Sequence, residues 1–382
     1  MKYLINTPHI SYLEKKYIND VLKSKWLSIN GKHTKIFENK ISKFLNIKHA
    51  LAVQSGTAAV HTALRALNIK QNEKVVIPNF TCVSNISCVS QIRAKPVIVD
   101  VEKDTFGIDF KSLKKIIKKH KPKAVQLVHV YGHPARDTKL ISNYCRKKKI
   151  FLIEDASESL GAEMDGKKVG IFGDIGVFSI RSEKMIGVGE GGILVTKNKK
   201  LFENIKLIAS RHAPFRTKKD SYWKKYYVSG EGYNYLMPHL PGAVARAQIE
   251  KFSKLILKKK IQIGKNYRKI FKNNKNYFVP QKLLKNNKPS FWLNSLYFNR
   301  LNGKEVRKLG EYLIKNNIEV RSGFWPLSYM PNFKPIKVGK YKNTFDLFNK
   351  LLVLPSNVKI NYNNIKYFKK IIDIFLKQKK LY

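Results

Sequence analysis

Lys184 is the side chain on which chemistry would turn. It lies in FSIRSEKMIGVGEGGILVT, residues 178–196, between a short apolar run and a cluster of glycines that leads into a second apolar run. A lysine held in a dry, crowded site gives up its proton readily and becomes an amine nucleophile able to form a Schiff base. A second group is the pair Glu154 and Asp155, which ends the apolar run KIFLIED. A carboxylate there is costly to bury unless a cation or several donors meet it. Asp155 reads either as a cap for ASESLG or as the partner of a protonated ring nitrogen. The third group is QSGTAAVHTAL, residues 54–64, where Ser55, Gly56 and Thr57 separate a strand-like run from a helix of small and apolar residues. The unpaired amides and dipole of such a helix start suit a phosphate dianion, with a plain Ser/Thr cap as the alternative.

The elements that must hold these groups alternate. Between about residues 50 and 200 the runs ALAVQ, KVVIP, KPVIVD, AVQLVHV, KIFLIED and IGVFSI are separated by turns or by amphipathic stretches such as FKSLKKIIKKH. Short β-branched runs with helices between them predict an α/β fold, a mostly parallel sheet covered on both faces. Ligands gather at the carboxyl ends of such strands. Lys184, Asp155 and the Ser-Gly-Thr turn then share one rim. The glycines of GVGEGG, residues 187–192, run into the strand-like ILVT rather than opening a helix, which argues against a dinucleotide fingerprint. They provide backbone freedom and room beside a ligand instead.

Further along, APFRTKKDSYWKKYYVSGEGYNYLMPHLPG, residues 213–242, carries the punctuation of an ordered functional loop. AVARAQIEKFSKLILKKKIQIGKNYRKIF then reads as one long helix. The last hundred or so residues form an α+β unit whose final helix puts Ile365, Phe368, Ile372 and Phe375 on one face. Two domains are expected, a large one over 1–255 and a small C-terminal one over 256–382.

Composition narrows the class. The 382 residues are 43% hydrophobic and 26% charged, a globular balance, with no apolar run long enough to span a bilayer. A cytoplasmic protein away from membranes is expected. Cys82, Cys88 and Cys145 are an odd number without zinc-site spacing, so reduced thiols and no metal are expected. The formal charge of +49 points first to nucleic acid or an anionic surface. Its lysines are spread end to end, mostly between the apolar positions of helices, which fits a solvated lysine-rich surface better than a nucleic-acid groove. Attraction of an anionic sugar nucleotide is the functional alternative.

Taken together these stretches resemble a known family, the sugar aminotransferases of the DegT/StrS type among fold-type I pyridoxal-phosphate (PLP) enzymes. The resemblance runs from KSKWLSINGKHTKIFENKISKFLNIKHALAVQSGTAAV through VIPNFTCVSN, VHVYGHP, the stretch 154–196 and GYNYLMP to IEVRSGFWPL and LPSN, nearly the whole chain in order. It implies that Lys184 holds PLP as a Schiff base, that Asp155 faces the pyridine nitrogen, and that Glu158 sits near the ring's phenolic oxygen. Ser55, Gly56, Thr57 and Ser179 are implied to bind the phosphate. Asn234 in GYNY is implied to reach it from the neighbouring subunit of a homodimer with shared active sites. Glutamate is the implied amino donor and a nucleotide-linked 4-keto-6-deoxy sugar the acceptor, in amino-sugar synthesis for a surface polysaccharide such as lipopolysaccharide. EDASESLG and SEKMIGVGEGG look most like perosamine synthase-type members, which aminate a GDP-linked sugar.

Trp26, His212 and Arg321 are candidate substrate contacts, with a purely structural role as the alternative for each. Three departures stand out. Cys82 occupies the place after IPNFT where the family usually stacks an aromatic on the cofactor ring. Leu236 stands where an arginine is common, and Arg181 and Glu183 replace smaller residues before the lysine. A sugar 3-dehydratase of the same family carries histidine in the Lys184 position, so lysine favours transamination. A non-catalytic regulator or nucleic-acid-binding protein on this fold has no use for Lys184, Asp155, Ser179 and Asn234 together.

Overall fold

The computed structural model describes residues 1–215, 222–272 and 278–379. The loop expected over 213–242 lies outside the described residues at 216–221. Helices α1 (Tyr12–Ser24) and α2 (Lys32–Leu45) precede the first strand. The sheet-forming part then alternates as the sequence predicts: β1 (His49–Val53), α3 (Gly56–Ala66), β2 (Lys74–Pro78), α4 (Ser84–Gln91), β3 (Lys95–Val99), α5 (Phe110–His120), β4 (Ala124–Val128), α6 (Thr138–Lys147) and β5 (Phe151–Asp155). A short hairpin, β6 (Glu163–Met164) and β7 (Lys167–Lys168), leads to β8 (Ile175–Ser179) and β9 (Gly192–Thr196).

Seven of these strands form one sheet in the order β1-β9-β8-β5-β4-β2-β3. Every neighbouring pair is parallel except β9, which runs antiparallel to both β8 and β1. Strands β1, β8, β5 and β4 therefore point the same way and present their carboxyl ends on one rim. The registers fix the rows: Asp155 lies opposite Val177, Ser179 opposite Gly192, and Gly192 opposite Val53. Both faces are packed, as the near-continuous apolar strands require. Val53, Ala59, Ile77 and Ile153 belong to one core, and Val76, Val97, Val125 and Leu152 to another on the side of α5 and α6.

Beyond β9, α7 (Lys199–Ala209) is followed by α8 (His239–Lys251) and α9 (Lys258–Phe271). The single long helix that the sequence predicts is interrupted by a π-helical stretch, Phe252–Leu257. Its apolar periodicity continues across the stretch, so the extra residue leaves no mark in the pattern. The remaining elements are β10 (Phe278–Pro280), β11 (Asn287–Lys288), β12 (Asn294–Phe298), α10 (Gly303–Lys315), β13 (Arg321–Ser322), α11 (Lys342–Lys350), β14 (Leu351–Leu354) and α12 (Tyr362–Gln378). A second sheet, β10-β12-β14-β13, is antiparallel and packs on α9, α10 and α12 through Tyr267, Leu296, Leu309 and Phe368. The buried face of α12 includes Ile365, Phe368, Ile372 and Phe375 as expected. The chain start joins this second unit, with Tyr3 bridging Ile318 and the Ser356 amide donating to the Ile5 carbonyl at 2.7 Å. Among the described residues no helix is long and apolar enough to cross a membrane.

Candidate active site

The segment from β8 to β9 folds back on itself, and Lys184 sits in its turn. Ile180 and Ser182 donate backbone N–H bonds to Gly191 and Gly189 at 2.9 and 2.8 Å, and the Lys184 amide bonds the Arg181 carbonyl at 2.8 Å. The glycines serve that turn. Gly189 has φ +94°, and a Cβ on Gly192 would lie 2.2 Å from the Ser55 carbonyl, so β9 passes directly under the Ser-Gly-Thr corner. The Lys184 amine lies 3.1 Å from Glu158 Oε1 and 3.7 Å from the centre of the Trp292 ring, with its side chain 15% exposed. The Glu183 carbonyl just before it accepts from Asn6 Nδ2 at 2.7 Å and Trp292 Nε1 at 2.6 Å.

Glu158 follows β5 and is buried, its other oxygen accepting the Tyr131 amide at 3.0 Å. Burial raises its pKa above the usual carboxylate value, and the Lys184 cation offsets this only in part. The two carboxylates that end β5 point opposite ways, as strand alternation requires. Glu154 faces away from the amine and accepts the amides of Gly170, Phe172 and Gly173 at 2.6, 2.6 and 3.1 Å. It also meets His129 Nε2 at 2.8 Å. Because His129 Nδ1 accepts the Ala135 amide, its ring proton sits on Nε2 and is donated to Glu154. Glu154 is thus a structural anchor. Asp155, also buried, accepts from Asn85 Nδ2 and from the Ser157 amide, both at 3.0 Å. Each of its oxygens keeps a free lone pair.

At the β1 end, Ser55 caps α3 by accepting the Ala58 amide at 3.0 Å. The Gly56 and Thr57 amides have no partner among the described residues. A Cβ on Gly56 would meet Ser179 Cβ at 2.8 Å and Oγ at 3.1 Å, so the turn is closed tightly onto β8. Two free amides at a helix start, flanked by the Ser55 and Ser179 hydroxyls, are a set of donors that suits a phosphate. A buried carboxylate with free lone pairs stands on the same rim and suits a protonated pyridine. An amine that can attack an aldehyde completes a donor set that fits PLP, and Asn85 Oδ1, buried without a partner, leaves one further acceptor beside Asp155.

The other expected residues lie around this group. Cys82 is exposed and unpaired, next to Thr81, which accepts from Asn85. Asn234 is exposed and flanks the β1 edge, where the neighbouring Tyr235 carbonyl accepts the Gln54 amide at 2.8 Å. Arg321 is held by Glu183 and, at 3.1 Å, by Glu319, which ties it to the residue preceding Lys184. Trp26 donates to the Ile29 carbonyl at 3.0 Å and His212 pairs with Ser229 at 2.8 Å. Among the described residues neither bonds to Lys184, Glu158 or Asp155. Sequence reasoning missed Asn85, Asn6 and Trp292. Asn85 alone carried a weak signal, a polar residue in the first turn of the helix that follows β2.

A cavity of about 880 Å³ lies elsewhere, between the loop at Lys103–Asp104 and β10. Among the described residues no cluster of His, Cys, Asp or Glu is arranged to hold a metal.

The family model for the DegT/DnrJ/EryC1/StrS aminotransferases matches residues 8–373. A GDP-perosamine synthase of Vibrio cholerae is 33% identical over 345 residues, covering 90% of this chain and 89% of the relative. One from Escherichia coli O157:H7 is 31% identical over 381 residues, covering 99% and 100%. Among solved structures, PseC of Helicobacter pylori, an aminotransferase of pseudaminic acid biosynthesis, superposes with a TM-score of 0.88 at 26% identity, covering 99% of this chain and 100% of its own.

Proposed function

Since the chain belongs to the DegT/DnrJ/EryC1/StrS aminotransferase family and uses PLP, we propose that it moves an amino group from glutamate to C4 of a nucleotide-linked 4-keto-6-deoxy sugar, with a GDP-linked substrate as in perosamine synthesis. The observation that carries the reading is the Lys184 amine, withdrawn from solvent against Glu158 and Trp292 beside the rim that bears Asp155. A lysine rather than a histidine at that place favours transamination over dehydration. The full-length likeness to two GDP-perosamine synthases supports the sugar class.

The roles follow from the donors. Gly56 and Thr57 amides with Ser55 and Ser179 hydroxyls hold the phosphate, and Asn234 of a second copy of the chain completes the cradle. Asp155 accepts the ring N–H and keeps that nitrogen protonated, while Asn85 and Ser157 hold the carboxylate in place. Glu158 would face the ring's phenolic oxygen, and Cys82 would take the place of an aromatic against the ring. PLP supplies an electron sink for the charge left when a proton leaves the donor's α-carbon. Lys184 would hold the cofactor's aldehyde through its amine and, as a free amine, would serve as the base that takes that proton. Arg321, Trp26 and His212 are assigned to the sugar nucleotide, where a guanidinium offers a charge-assisted bond to a pyrophosphate.

We further infer a large domain over 1–255 and a small one over 256–382, the boundary falling in the π-helical stretch. A homodimer is supported by the exposed aromatics Tyr222, Trp223 and Tyr226, which lie near Asn234 in sequence. Three unpaired cysteines support a reducing, cytoplasmic setting. The test is a panel of GDP-, UDP- and dTDP-linked 4-keto-6-deoxy sugars with glutamate and PLP, read by product mass. An amino sugar from the GDP substrate is expected. A protein that gains no colour with PLP and aminates no sugar on the panel defeats the reading.

A further inference from the structure

Lys260, in the first turn of α9, is a buried cation that forms no ion pair among the described residues. It is 1% exposed and donates from Nζ to Asn6 Oδ1 at 2.8 Å, the Trp292 carbonyl at 2.8 Å and the Ser356 carbonyl at 2.6 Å. An ammonium has three donors and no acceptor, so three oxygens satisfy it completely, whereas a neutral amine would turn its lone pair on one of them. Burial nevertheless lowers its pKa to about 7. An apolar side chain of the same length would avoid that desolvation cost.

Two of the three acceptors lead directly to Lys184. Asn6 turns its amide oxygen to Lys260 and its amide nitrogen to the carbonyls of Glu183, at 2.7 Å, and Lys184, at 3.4 Å. Trp292 gives its carbonyl to Lys260, its indole N–H to the Glu183 carbonyl at 2.6 Å, and its ring face to the Lys184 amine at 3.7 Å. Ser356, the third acceptor, also fixes the start of β12, its hydroxyl accepting the Asn294 amide at 2.9 Å. The π-helical stretch just before α9 packs on the loop that carries Glu158: a Cβ on Gly161 would sit 3.1 Å from Leu257 and 3.2 Å from Phe252. Helix, chain start and second sheet thus meet at one ammonium behind the reactive lysine.

We propose that Lys260 is a positioning residue for Lys184, fixing Asn6 and Trp292 and through them both the backbone before the reactive lysine and the aromatic face beneath its amine. The inference rests on the reading that Lys184 carries the cofactor, but its test is separable from that reading. Full-length wild type, Lys260→Met, Trp292→Phe and the double variant are compared. Folding is followed by circular dichroism. Two readouts then report on Lys184: the pH titration of the absorbance band formed with PLP, and, in PLP-free protein, the rate of reductive methylation of Lys184 read by peptide mass.

Lys260→Met is expected to fold, to move the midpoint of the band by about half a pH unit or more, and to change the methylation rate about threefold or more. The glutamate half-reaction is expected to slow about tenfold with KM within about twofold, the pattern of a misplaced reacting group. The double variant is expected to shift no further than the larger single one, because both act through the Glu183 carbonyl. A folded Lys260→Met with both readouts unchanged overturns the proposal, as do additive effects. If Lys260→Met does not fold, Asn6→Ala must reproduce the two shifts, and a wild-type response from it overturns the proposal equally. A wild type that forms no band with PLP sinks the functional reading alone, since the methylation rates still decide the role of Lys260.

Discussion

Lys184 and Glu158 meet as an amine and a carboxylate 3.1 Å apart, with side chains 15% and 6% exposed. Such a pair is expensive to break on one side, because the survivor stays buried without its partner. Lys184→Ala is therefore expected to raise the pKa of Glu158 further, because burial then acts on the carboxyl without the Lys184 cation to offset it. With the nucleophile and base gone, the absorbance change on adding glutamate is expected to vanish and turnover to fall about 10³-fold or more. Stopped-flow spectroscopy with glutamate alone checks this, since the first half-reaction needs no sugar. Turnover within tenfold of wild type would remove Lys184 from its assigned role.

Asp155 and Asn85 separate a charge from the group that aims it. Asp155→Asn keeps the size but can no longer hold a ring proton by its charge, and the glutamate half-reaction is expected to slow about 10²-fold or more. Asn85→Ala removes only one 3.0 Å bond to that carboxylate. A loss of about 1–2 kcal/mol, roughly tenfold in the same rate, is expected for it. Equal losses in the two variants would mean that Asn85 acts on something other than Asp155.

Why do Asp155 and Lys184 stand out in the chain while Asn85, Asn6 and Trp292 do not? Asp155 ends β5 and Lys184 lies in the turn just after β8, and the alternation of apolar runs and helices places strand ends on a rim without further information. Asn85 lies in the first turn of α4, where a polar residue is ordinarily a solvated or capping one. Asn6 and Trp292 reach Lys184 from the chain start and the second unit, distances in sequence that no local pattern encodes. The π-helical stretch escaped for a related reason: its apolar spacing matches a continuous helix, and only packing against Gly161 reveals it. The glycine cluster reads as backbone freedom rather than as a nucleotide fingerprint because a strand-like run follows it, and β9 is the strand found there.

Two glycines near the site make opposite demands. At Gly56 an added methyl would collide with Ser179, 2.8 Å from its Cβ, inside the proposed phosphate cradle. Gly56→Ala is expected to weaken PLP about tenfold or more by forcing the two elements apart. Gly189 has open space but φ +94°, so Gly189→Ala strains only the loop backbone. About 1 kcal/mol of stability is expected to go, with PLP affinity nearly unchanged. Equilibrium PLP titration and urea denaturation of both variants distinguish the two effects, and a Gly56→Ala protein with normal PLP affinity would place the phosphate elsewhere.

Glu38 on α2 gives the fold a pH dependence apart from the site. Its Oε1 accepts the Ala52 amide at 2.8 Å, and burial raises its pKa from 4.5 to about 7. Between those values the unfolded chain has lost the proton and the folded one retains it, so stability falls as pH rises. The contribution is complete below 4.5 and gone once pH passes about 7. Glu38→Gln still accepts the amide and cannot ionise. It is expected to match wild type at pH 5 within error and to exceed it at pH 8 by about 2 kcal/mol, less than the full shift implies because the half-buried residue keeps some solvent contact. Urea denaturation at the two pH values reads the difference, and parallel losses in both proteins would assign the titration to another group.

Asn234 tests whether the site is shared between two copies. It stands exposed near the β1 edge, paired with Ser210 in a β-bridge, and the proposed function assigns it to the phosphate of a second chain. Asn234→Ala alone is expected to weaken PLP, and Lys184→Ala alone to abolish turnover. Mixed by co-expression, the two differ from any pair of changes within one self-contained site. In a heterodimer one site draws Lys184 from one chain and Asn234 from the other, both intact, while the second site lacks both. Random pairing makes half the dimers mixed, so about one quarter of all sites should be native and turnover at limiting PLP should recover to about that fraction. Sites complete within one chain would instead give only the activity of the Asn234→Ala protein diluted by an inactive partner. Measured at PLP concentrations below the affinity of Asn234→Ala, the two arrangements give opposite results.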